Sequence, residues 1–219
     1  MKIIFRRKGF DSSAGKKSSP IFPDGTMISL PIPNKASTIA YKDIAGNVHA
    51  SVGELVQDLA GIPETHRAHL DPDLSPQSVL RVDGWRPLFG QEGAAESHLE
   101  NQGIGPGDIF LFFGLFRAVE KPVHGWHYVR GSRPMHVIFG WLQVAKRVAV
   151  SDWPTGADWA LYHPHFRREP HLRIPGHVNN HSGDVNNGFR ADVNNRFRGQ
   201  VNENFALPGI FIHIPESIS

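Results

Sequence analysis

A polar stretch near the N-terminus carries groups that could bind an anion. Lys8, Asp11 and Ser12 stand close together around two glycines, Gly9 and Gly15, directly after the apolar run 3–5. A glycine-hinged turn after a strand can hold a phosphate with its backbone N–H groups. We therefore predict that Lys8 and Ser12 bind substrate and that Asp11 has a catalytic, acid–base role. An ordinary surface turn is the alternative.

Histidine and aspartate pairs mark a second candidate site. His163 and His165 lie two positions apart, so on an extended backbone both rings would face the same side and could hold a divalent metal. Asp71 and Asp73 flank a proline and could bind Mg²⁺ or act in acid–base catalysis. These aspartates, together with His98, are the candidate metal partners of the histidine pair. A packed turn for the histidines and a turn or helix cap for the aspartates are the alternatives.

The segment 90–103 has the composition of a base-recognition face. Its small residues allow a ligand to approach the backbone, and Gln91, His98, Asn101 and Gln102 carry groups that can read the edge of a base. In a helix, the last three of these residues share one face. A helix surface with its caps is the alternative. Among the aromatic residues, Trp85 and Trp126 follow glycines and are predicted to be exposed, while most others lie in strand-like runs.

These groups would be positioned by short elements. The chain has 17 prolines and 22 glycines, which predicts a strand- and loop-rich architecture with short helices. Hydrophobic periodicity and capping residues, such as Ser51 as a helix N-cap, predict where these helices and strands lie. The predicted elements are helices at 51–60 and 93–101 and strands at 3–5, 109–113, 137–144 and 209–214.

Composition limits the classes of function. The chain has 219 residues, 40% hydrophobic and 20% charged, with a net charge of +2, which is typical of a soluble globular protein. The absence of cysteine excludes disulfides, thiolate zinc sites and cysteine nucleophiles. No apolar run approaches the length of a membrane span, and no signal peptide is visible. We therefore expect a cytoplasmic protein without a membrane partner.

Domain organisation is predicted from a change in composition. Residues 1–176 are expected to form a single globular domain. Residues 177–219 form an irregular, asparagine-rich tail in which Val-Asn-Asn recurs at 178, 185 and 193, with a terminal strand as its only regular element.

Two resemblances add to this interpretation. Pro-Gly-Asp followed by an apolar strand, and a second strand with Gly-Trp, make the region 103–150 similar to the core of PUA-like barrels. More extensively, the chain resembles the third family of nucleotide modification associated domains, found in bacteria and their phages. The motifs that carry this resemblance are Arg-Lys-Gly-Phe-Asp-Ser-Ser-Ala-Gly (7–15), Leu-Asp-Pro-Asp-Leu (70–74), Phe-Gly-Gln-Glu-Gly-Ala-Ala (89–95), His-Leu-Glu-Asn-Gln-Gly (98–103) and His-Pro-His (163–165).

The sequence and the resemblance together lead to an expected fold, a leading hypothesis for function and one alternative. The expected fold is α+β, with a β-rich mixed sheet or a partly closed PUA-like barrel and a few short helices. The leading function is an enzyme of a DNA base or nucleotide modification pathway, in which Asp11, Asp71 and His98 are catalytic and a divalent metal is a candidate cofactor. Nucleotide or DNA is the expected partner, along with other DNA-modification enzymes. The alternative is a non-catalytic reader that binds modified or flipped bases.

Overall fold

The fold is α+β, as predicted, and is built around one long central strand. The computed structural model describes residues 1–166 and the backbone of one further strand, Gly209–Ile212. Its α-helices are α1 (Val52–Ala60) and α2 (Gly93–Asn101), and short 3₁₀ helices lie at Tyr41–Asp43, Val150–Asp152, Asp158–Ala160 and Pro164–Phe166. Its strands are β1 (Ile3–Arg7), β2 (Ser19–Ile21), β3 (Ile32–Pro33), β4 (Ala68–His69), β5 (Leu88–Gln91), β6 (Ile109–Glu120), β7 (His127–Tyr128), β8 (Met135–Gln143), β9 (Lys146–Ala149) and β10 (Gly209–Ile212).

The main sheet has five strands and is mixed. β6 lies at its centre, with β1 and β2 pairing parallel to it and β7 and β8 pairing antiparallel. A β-bulge between Phe112 and Phe113 shifts the register with β8. Among the described strands this sheet does not close into a barrel, so of the two predicted arrangements the open mixed sheet is the observed one.

The two faces of the main sheet differ in burial. Along β6, Phe110, Phe112 and Phe116 are fully buried, whereas Leu111, Phe113 and Leu115 are only partly buried. This follows from the alternation of side chains along a strand. On the inner face, Phe89 of β5 packs edge-on against both Phe110 and Phe112, with ring centroids 5.0 Å apart. Strand β5 is therefore anchored beneath the sheet.

A second, smaller sheet carries β5. It has the order β5–β10–β9, and both pairings are antiparallel. β10 falls within the stretch 209–214 for which the sequence predicts a strand. The domain boundary at 176 and the asparagine repeat lie outside the described residues and stay predictions.

Both predicted helices are confirmed. Oγ of Ser51 accepts a hydrogen bond from the Glu54 backbone N–H at 3.1 Å, and Gly61 ends α1 in the left-handed conformation at φ 66°. These are the standard start and stop signals of a helix. α2 follows β5 directly and is tied to β9 by Glu96, whose buried carboxylate forms an ion pair with Arg147 at 2.6 Å.

Two sequence expectations need correction. Trp126, expected to be exposed, is buried and packs edge-on against Phe22 with ring centroids 4.9 Å apart. Trp141 of β8, which lies in a run expected to belong to the core, is 58% exposed. No described helix has the combination of length and apolar character that crossing a membrane requires.

Candidate functional site: a buried aspartate among three histidines

The site is a cluster of side chains around the carboxylate of Asp71. We call Lys8, His69, Asp71, His163 and His165 the Asp71 centre. Lys8 follows β1, His69 ends β4, and the two other histidines lie in and beside the 3₁₀ helix Pro164–Phe166. Three segments distant in sequence therefore meet at one carboxylate.

Each oxygen of Asp71 has a specific set of neighbours. Oδ2 accepts a hydrogen bond from the Lys8 ammonium at 2.8 Å and lies 3.5 Å from Nε2 of His165. Oδ1 accepts a hydrogen bond from the Gly90 backbone N–H at 2.9 Å and lies 3.3 Å from Nε2 of His163. The Asp71 side chain is 0% exposed and that of Lys8 is 17% exposed. Water is therefore largely excluded from this charge pair.

The surroundings keep Asp71 ionised. Burial alone would raise the pKa of Asp71, but the Lys8 ammonium and the contacts with His163 and His165 outweigh it and hold this pKa well below its usual 3.8.

The same surroundings keep two of the imidazoles neutral. Burial lowers the pKa of His69 to about 4, although the charge of Asp71 opposes this shift. Burial likewise lowers the pKa of His163, against the opposing contact with Asp71. At neutral pH the centre thus combines one carboxylate and one ammonium with uncharged rings that can accept a proton or a metal ion.

The two histidines reach Asp71 by a different backbone from the predicted one. Residues 164–166 form a 3₁₀ helix and not an extended segment, yet the rings of His163 and His165 stack at an interplanar angle of 23° with centroids 5.4 Å apart. Backbone hydrogen bonds from His163 N–H to Ala160 and from Phe166 N–H to His163 hold this turn. The prediction that the two rings share a side therefore agrees with the structure, but for another reason.

Part of the centre could hold a metal ion. His69, Asp71 and His165 each offer one ligand atom, and these atoms lie within 4.8 Å of one another. Of the partners proposed from sequence for the histidine pair, Asp71 is therefore at the centre, while Asp73 and His98 have other neighbours.

Two residues of the site were not foreseen from sequence. His69 stands two positions before Asp71, a spacing that places both on one side of an extended chain, but β4 is only two residues long and gives no periodic signal. Glu92 follows β5, and its Oε2 lies 3.5 Å from Nδ1 of His165. Its position beside Gln91 in the candidate segment was the available hint. Gln91 itself is buried and donates a hydrogen bond to the Gly90 carbonyl at 2.7 Å.

Asp73 belongs to a separate network. Its two oxygens accept hydrogen bonds from both terminal nitrogens of Arg81 at 2.6 and 2.7 Å, and the Tyr162 hydroxyl donates a further short bond. The Tyr162 oxygen in turn accepts a hydrogen bond from Nε1 of Trp85 at 2.7 Å. Arg81 thus binds both carboxylate oxygens in a bidentate pair and Tyr162 adds a third donor, which is the pattern of a structural ion pair.

The predicted N-terminal turn is divided between two sets of partners. Successive residues of a strand point to opposite faces, so Lys8 reaches inward to Asp71 while Arg7 pairs with Asp11 at 3.0 Å. Asp11 also accepts hydrogen bonds from Ser13 and from the Ala14 N–H, and these bonds offset burial and lower its pKa. Ser12 is exposed. The structure therefore gives Lys8 and Asp11 different partners.

Three of the four predicted base-recognition residues lie at the C-terminal end of α2, and the fourth, Gln91, ends β5. His98, Asn101 and Gln102 are exposed, and the Lys2 ammonium donates a hydrogen bond to the Gln102 carbonyl at 2.5 Å. Lys2 and Lys8 stand at opposite ends of β1, about 20 Å apart at the usual rise of a strand. The Asp71 centre and this face of α2 are thus separate regions of the surface.

The comparisons with known proteins give one family. No curated protein and no solved structure matches the chain. The family model described as nucleotide modification associated domain 3 matches residues 2–183, which contain every member of the Asp71 centre. The chain therefore belongs to the nucleotide modification associated domain 3 family, whose description associates it with nucleotide modification.

Proposed function

We propose that the protein is an enzyme of a DNA base or nucleotide modification pathway and that the Asp71 centre is its catalytic site. The observation that carries this proposal is the buried, ionised Asp71 with three imidazoles around it. A buried ion pair contributes little to stability compared with apolar packing, and perturbed ionisable groups cluster at functional sites. Cytoplasmic DNA or a cytoplasmic nucleotide pool is the expected source of substrate.

The exposure of the members assigns them different roles. Asp71 and His163 are fully enclosed, whereas His69 is partly exposed and the Glu92 side chain is 35% exposed. A nucleobase or nucleotide would thus approach beside His69 and Glu92. His69 lies at this approach with a neutral ring, and Asp71 and Lys8 provide a fixed charge pair behind it.

Nucleoside mass spectrometry tests this proposal. DNA and RNA are compared from cells that carry the native gene neighbourhood with the wild-type chain, with no chain, or with the variants His69→Gln and Asp71→Asn. We expect a nucleoside mass that changes with the chain and reverts in both variants. The variant His66→Ala, which alters an exposed histidine elsewhere, is the matched control and should behave as wild type. An unchanged nucleoside profile, with the protein expressed and folded, would refute the proposal that it is an enzyme.

The predicted residues outside the centre are tested in the same assay. Asp11→Ala and His98→Ala ask whether the N-terminal turn and α2 also contribute to catalysis. Loss of the modified nucleoside in either variant, with normal folding, would extend the catalytic site beyond the Asp71 centre.

A second candidate function is a non-catalytic reader of nucleic acid, and the outer face of the main sheet favours it. Phe5, Ile138 and Trp141 are 59%, 51% and 58% exposed on this face. Phe113 lies between them and contacts Phe5 edge-on, with ring centroids 6.5 Å apart. Exposed aromatics on a sheet can stack with the bases of a single strand.

The charge on the outer face of the main sheet is also compatible with binding of a nucleic acid strand. The outward positions of β1, β6 and β8 that pair across the sheet include Arg7 and His136 and, among these described residues, no carboxylate. We therefore infer that the occupant in this second function is single-stranded DNA or RNA. Fluorescence anisotropy with a labelled oligonucleotide would show binding that Phe5→Ala and Trp141→Ala weaken and that Leu80→Ala, a change at an exposed residue elsewhere, leaves intact. A concentration-dependent change of molecular mass without oligonucleotide binding would assign this face to a second copy of the chain.

A further inference from the structure

We propose that His69, Asp71 and His165 bind a divalent first-row transition metal ion, with Glu92 orienting His165. This inference rests on the proposed function in placing the ion at the proposed catalytic site, but ion binding itself is measurable without any nucleotide. The ligand set of two imidazoles and one carboxylate suits ions such as Zn²⁺, Fe²⁺, Mn²⁺ and Co²⁺ and leaves coordination positions open for substrate or water.

Unpartnered nitrogen atoms are the first observation. Nε2 of His165 and both ring nitrogens of His163 are buried and make no hydrogen bond. Buried polar atoms are nearly always bonded, and leaving one without a partner costs about 1–3 kcal/mol. Their separations from Asp71, 3.5 and 3.3 Å, are too long for good hydrogen bonds. These rings therefore stand at the carboxylate without bonding to it.

The same separations fit two ligands of one ion. Bonds of about 2.0–2.2 Å to histidine nitrogen and carboxylate oxygen place neighbouring ligand atoms about 3.3–3.6 Å apart in a tetrahedral site. Nε2 of His165 and Oδ2 of Asp71 are 3.5 Å apart. His69 completes the group, because one ligand atom from each of the three residues lies within 4.8 Å of the others. Three ligand atoms are therefore already gathered.

The opposite side of the His165 ring has the partner that a metal ligand needs. Oε2 of Glu92 lies 3.5 Å from Nδ1, so its negative charge favours the tautomer with the proton on Nδ1, which leaves the lone pair of Nε2 toward Asp71. Carboxylates in this position fix the orientation and tautomer of metal-binding histidines. Gly90 leaves room for the ring, since a Cβ there would lie 2.2 Å from Cδ2 of His165. The residues around His165 thus hold Nε2 toward the proposed ion.

Lys8 is the natural competitor of the ion. Its ammonium bonds to Oδ2 of Asp71, the oxygen nearest His165. A divalent ion at this oxygen must share it with the ammonium or displace it. Removing the positive charge of Lys8 should therefore tighten metal binding, whereas removing a ligand should abolish it. These opposite signs separate a metal site from a simple lysine–aspartate ion pair.

The experiment measures ion binding by the full-length chain. Protein stripped with a chelator is titrated with Co²⁺ by absorption spectroscopy and with Zn²⁺ and Mn²⁺ by calorimetry, and elemental analysis is done on untreated protein. We expect one ion per chain and visible Co²⁺ bands of a four- to six-coordinate nitrogen–oxygen site. Asp71→Asn, His69→Gln and His165→Gln should abolish the bands, and Glu92→Gln should weaken binding by about 10- to 100-fold. Lys8→Met should tighten binding by at least about tenfold.

His66→Ala is the matched control and should bind as wild type, and circular dichroism shows which variants are folded. Glu92→Gln lies at the edge of the site and keeps the inference testable if the buried variants unfold. Absence of stoichiometric binding by both wild type and Lys8→Met would overturn the metal site, as would equal binding by wild type and a folded His165→Gln. A metal site without a nucleoside change would refute the proposed enzyme alone, and a nucleoside change without metal would refute this inference alone.

Discussion

Replacing Lys8 with methionine tests the electrostatics of the Asp71 centre most directly. Methionine keeps much of the length of the side chain and its packing over Phe89, whose ring centroid lies 4.5 Å from Nζ, but removes the charge. Asp71 is fully buried, so the variant leaves a carboxylate with one backbone hydrogen bond and no cation. Breaking a buried ion pair in this way costs about 3–5 kcal/mol. We expect the free energy of unfolding to fall by this amount at pH 7.

The pH dependence distinguishes this cause from lost packing. In the wild type the pKa of Asp71 is below 3.8, so its ionised form stabilises the fold above that pH and this contribution is lost only at lower pH. Without Lys8, burial dominates and the folded-state pKa rises above the unfolded value. As pH falls, Asp71 is then protonated earlier in the folded variant than in its unfolded state, which stabilises the folded variant. The deficit of the variant relative to wild type should therefore shrink as pH falls from 7 to 5, by up to about 1.4 kcal/mol per pH unit.

Urea unfolding followed by circular dichroism, in chelator and at several pH values, measures both effects. The difference between variant and wild type is the quantity to follow, because titration of the histidines acts on both proteins. Lys42→Met is the matched control: its side chain is 54% exposed beside Asp43, and such a surface pair contributes at most about 1 kcal/mol. A Lys8→Met deficit below about 1 kcal/mol, or one that does not change with pH, would refute the assignment of Asp71 as a buried charge that depends on Lys8.

Three further predictions concern the surroundings of the centre. Gly90→Ala should displace the His165 ring, because the new Cβ would lie 2.2 Å from it. We expect the free energy of unfolding, measured by thermal unfolding, to fall by about 1–3 kcal/mol and Co²⁺ binding to be lost. Wild-type stability and binding would contradict the contact. Arg81→Met should cost about 3–5 kcal/mol in urea unfolding by leaving buried Asp73 without its cation, and a near-neutral result would contradict the structural role of that pair. His69 has a folded pKa of about 4 against 6.5, so the fold should lose up to about 3 kcal/mol as pH falls through this range, and His69→Gln should show a shallower loss in the same titration.

The elements that could be predicted from sequence are those with local signals. α1 has an apolar stripe, a serine N-cap and a glycine end, and both helices are found where they were predicted. The strand predicted at 109–113 is real but continues through β6 to Glu120. Its second half contains Gly114 and Arg117, which interrupt the apolar run, although pairing with β2, β7 and β8 keeps it extended. Pairing between distant strands is a tertiary property that single-sequence patterns do not record.

The candidate site also has a part that the sequence predicted and a part that depends on tertiary packing. The sequence placed Asp71 among the candidate metal partners of His163 and His165, and the three do meet. Lys8 and Asp11 are close in sequence but have different partners, because alternation along the chain turns Arg7 toward Asp11 and Lys8 toward Asp71. His69 and Glu92 join the site through the packing of β4 and β5. Residue type indicated the chemistry of the centre, while the packing of the strands determined its membership.

The contrast between Asp71 and Asp73 is the strongest physical argument that the first is functional. Both are buried aspartates on either side of one proline, and both pair with a cation. Asp73 accepts three hydrogen bonds, two of them from the fork of Arg81 and the third from Tyr162. Asp71 accepts only two, from one ammonium and one amide, and beside it lie Nε2 of His165 and both ring nitrogens of His163, which make no hydrogen bond. A purely structural carboxylate would be expected to acquire the first arrangement, since incomplete bonding in a buried polar network is destabilising. The open arrangement around Asp71 is what a site that exchanges a proton or accepts an ion requires.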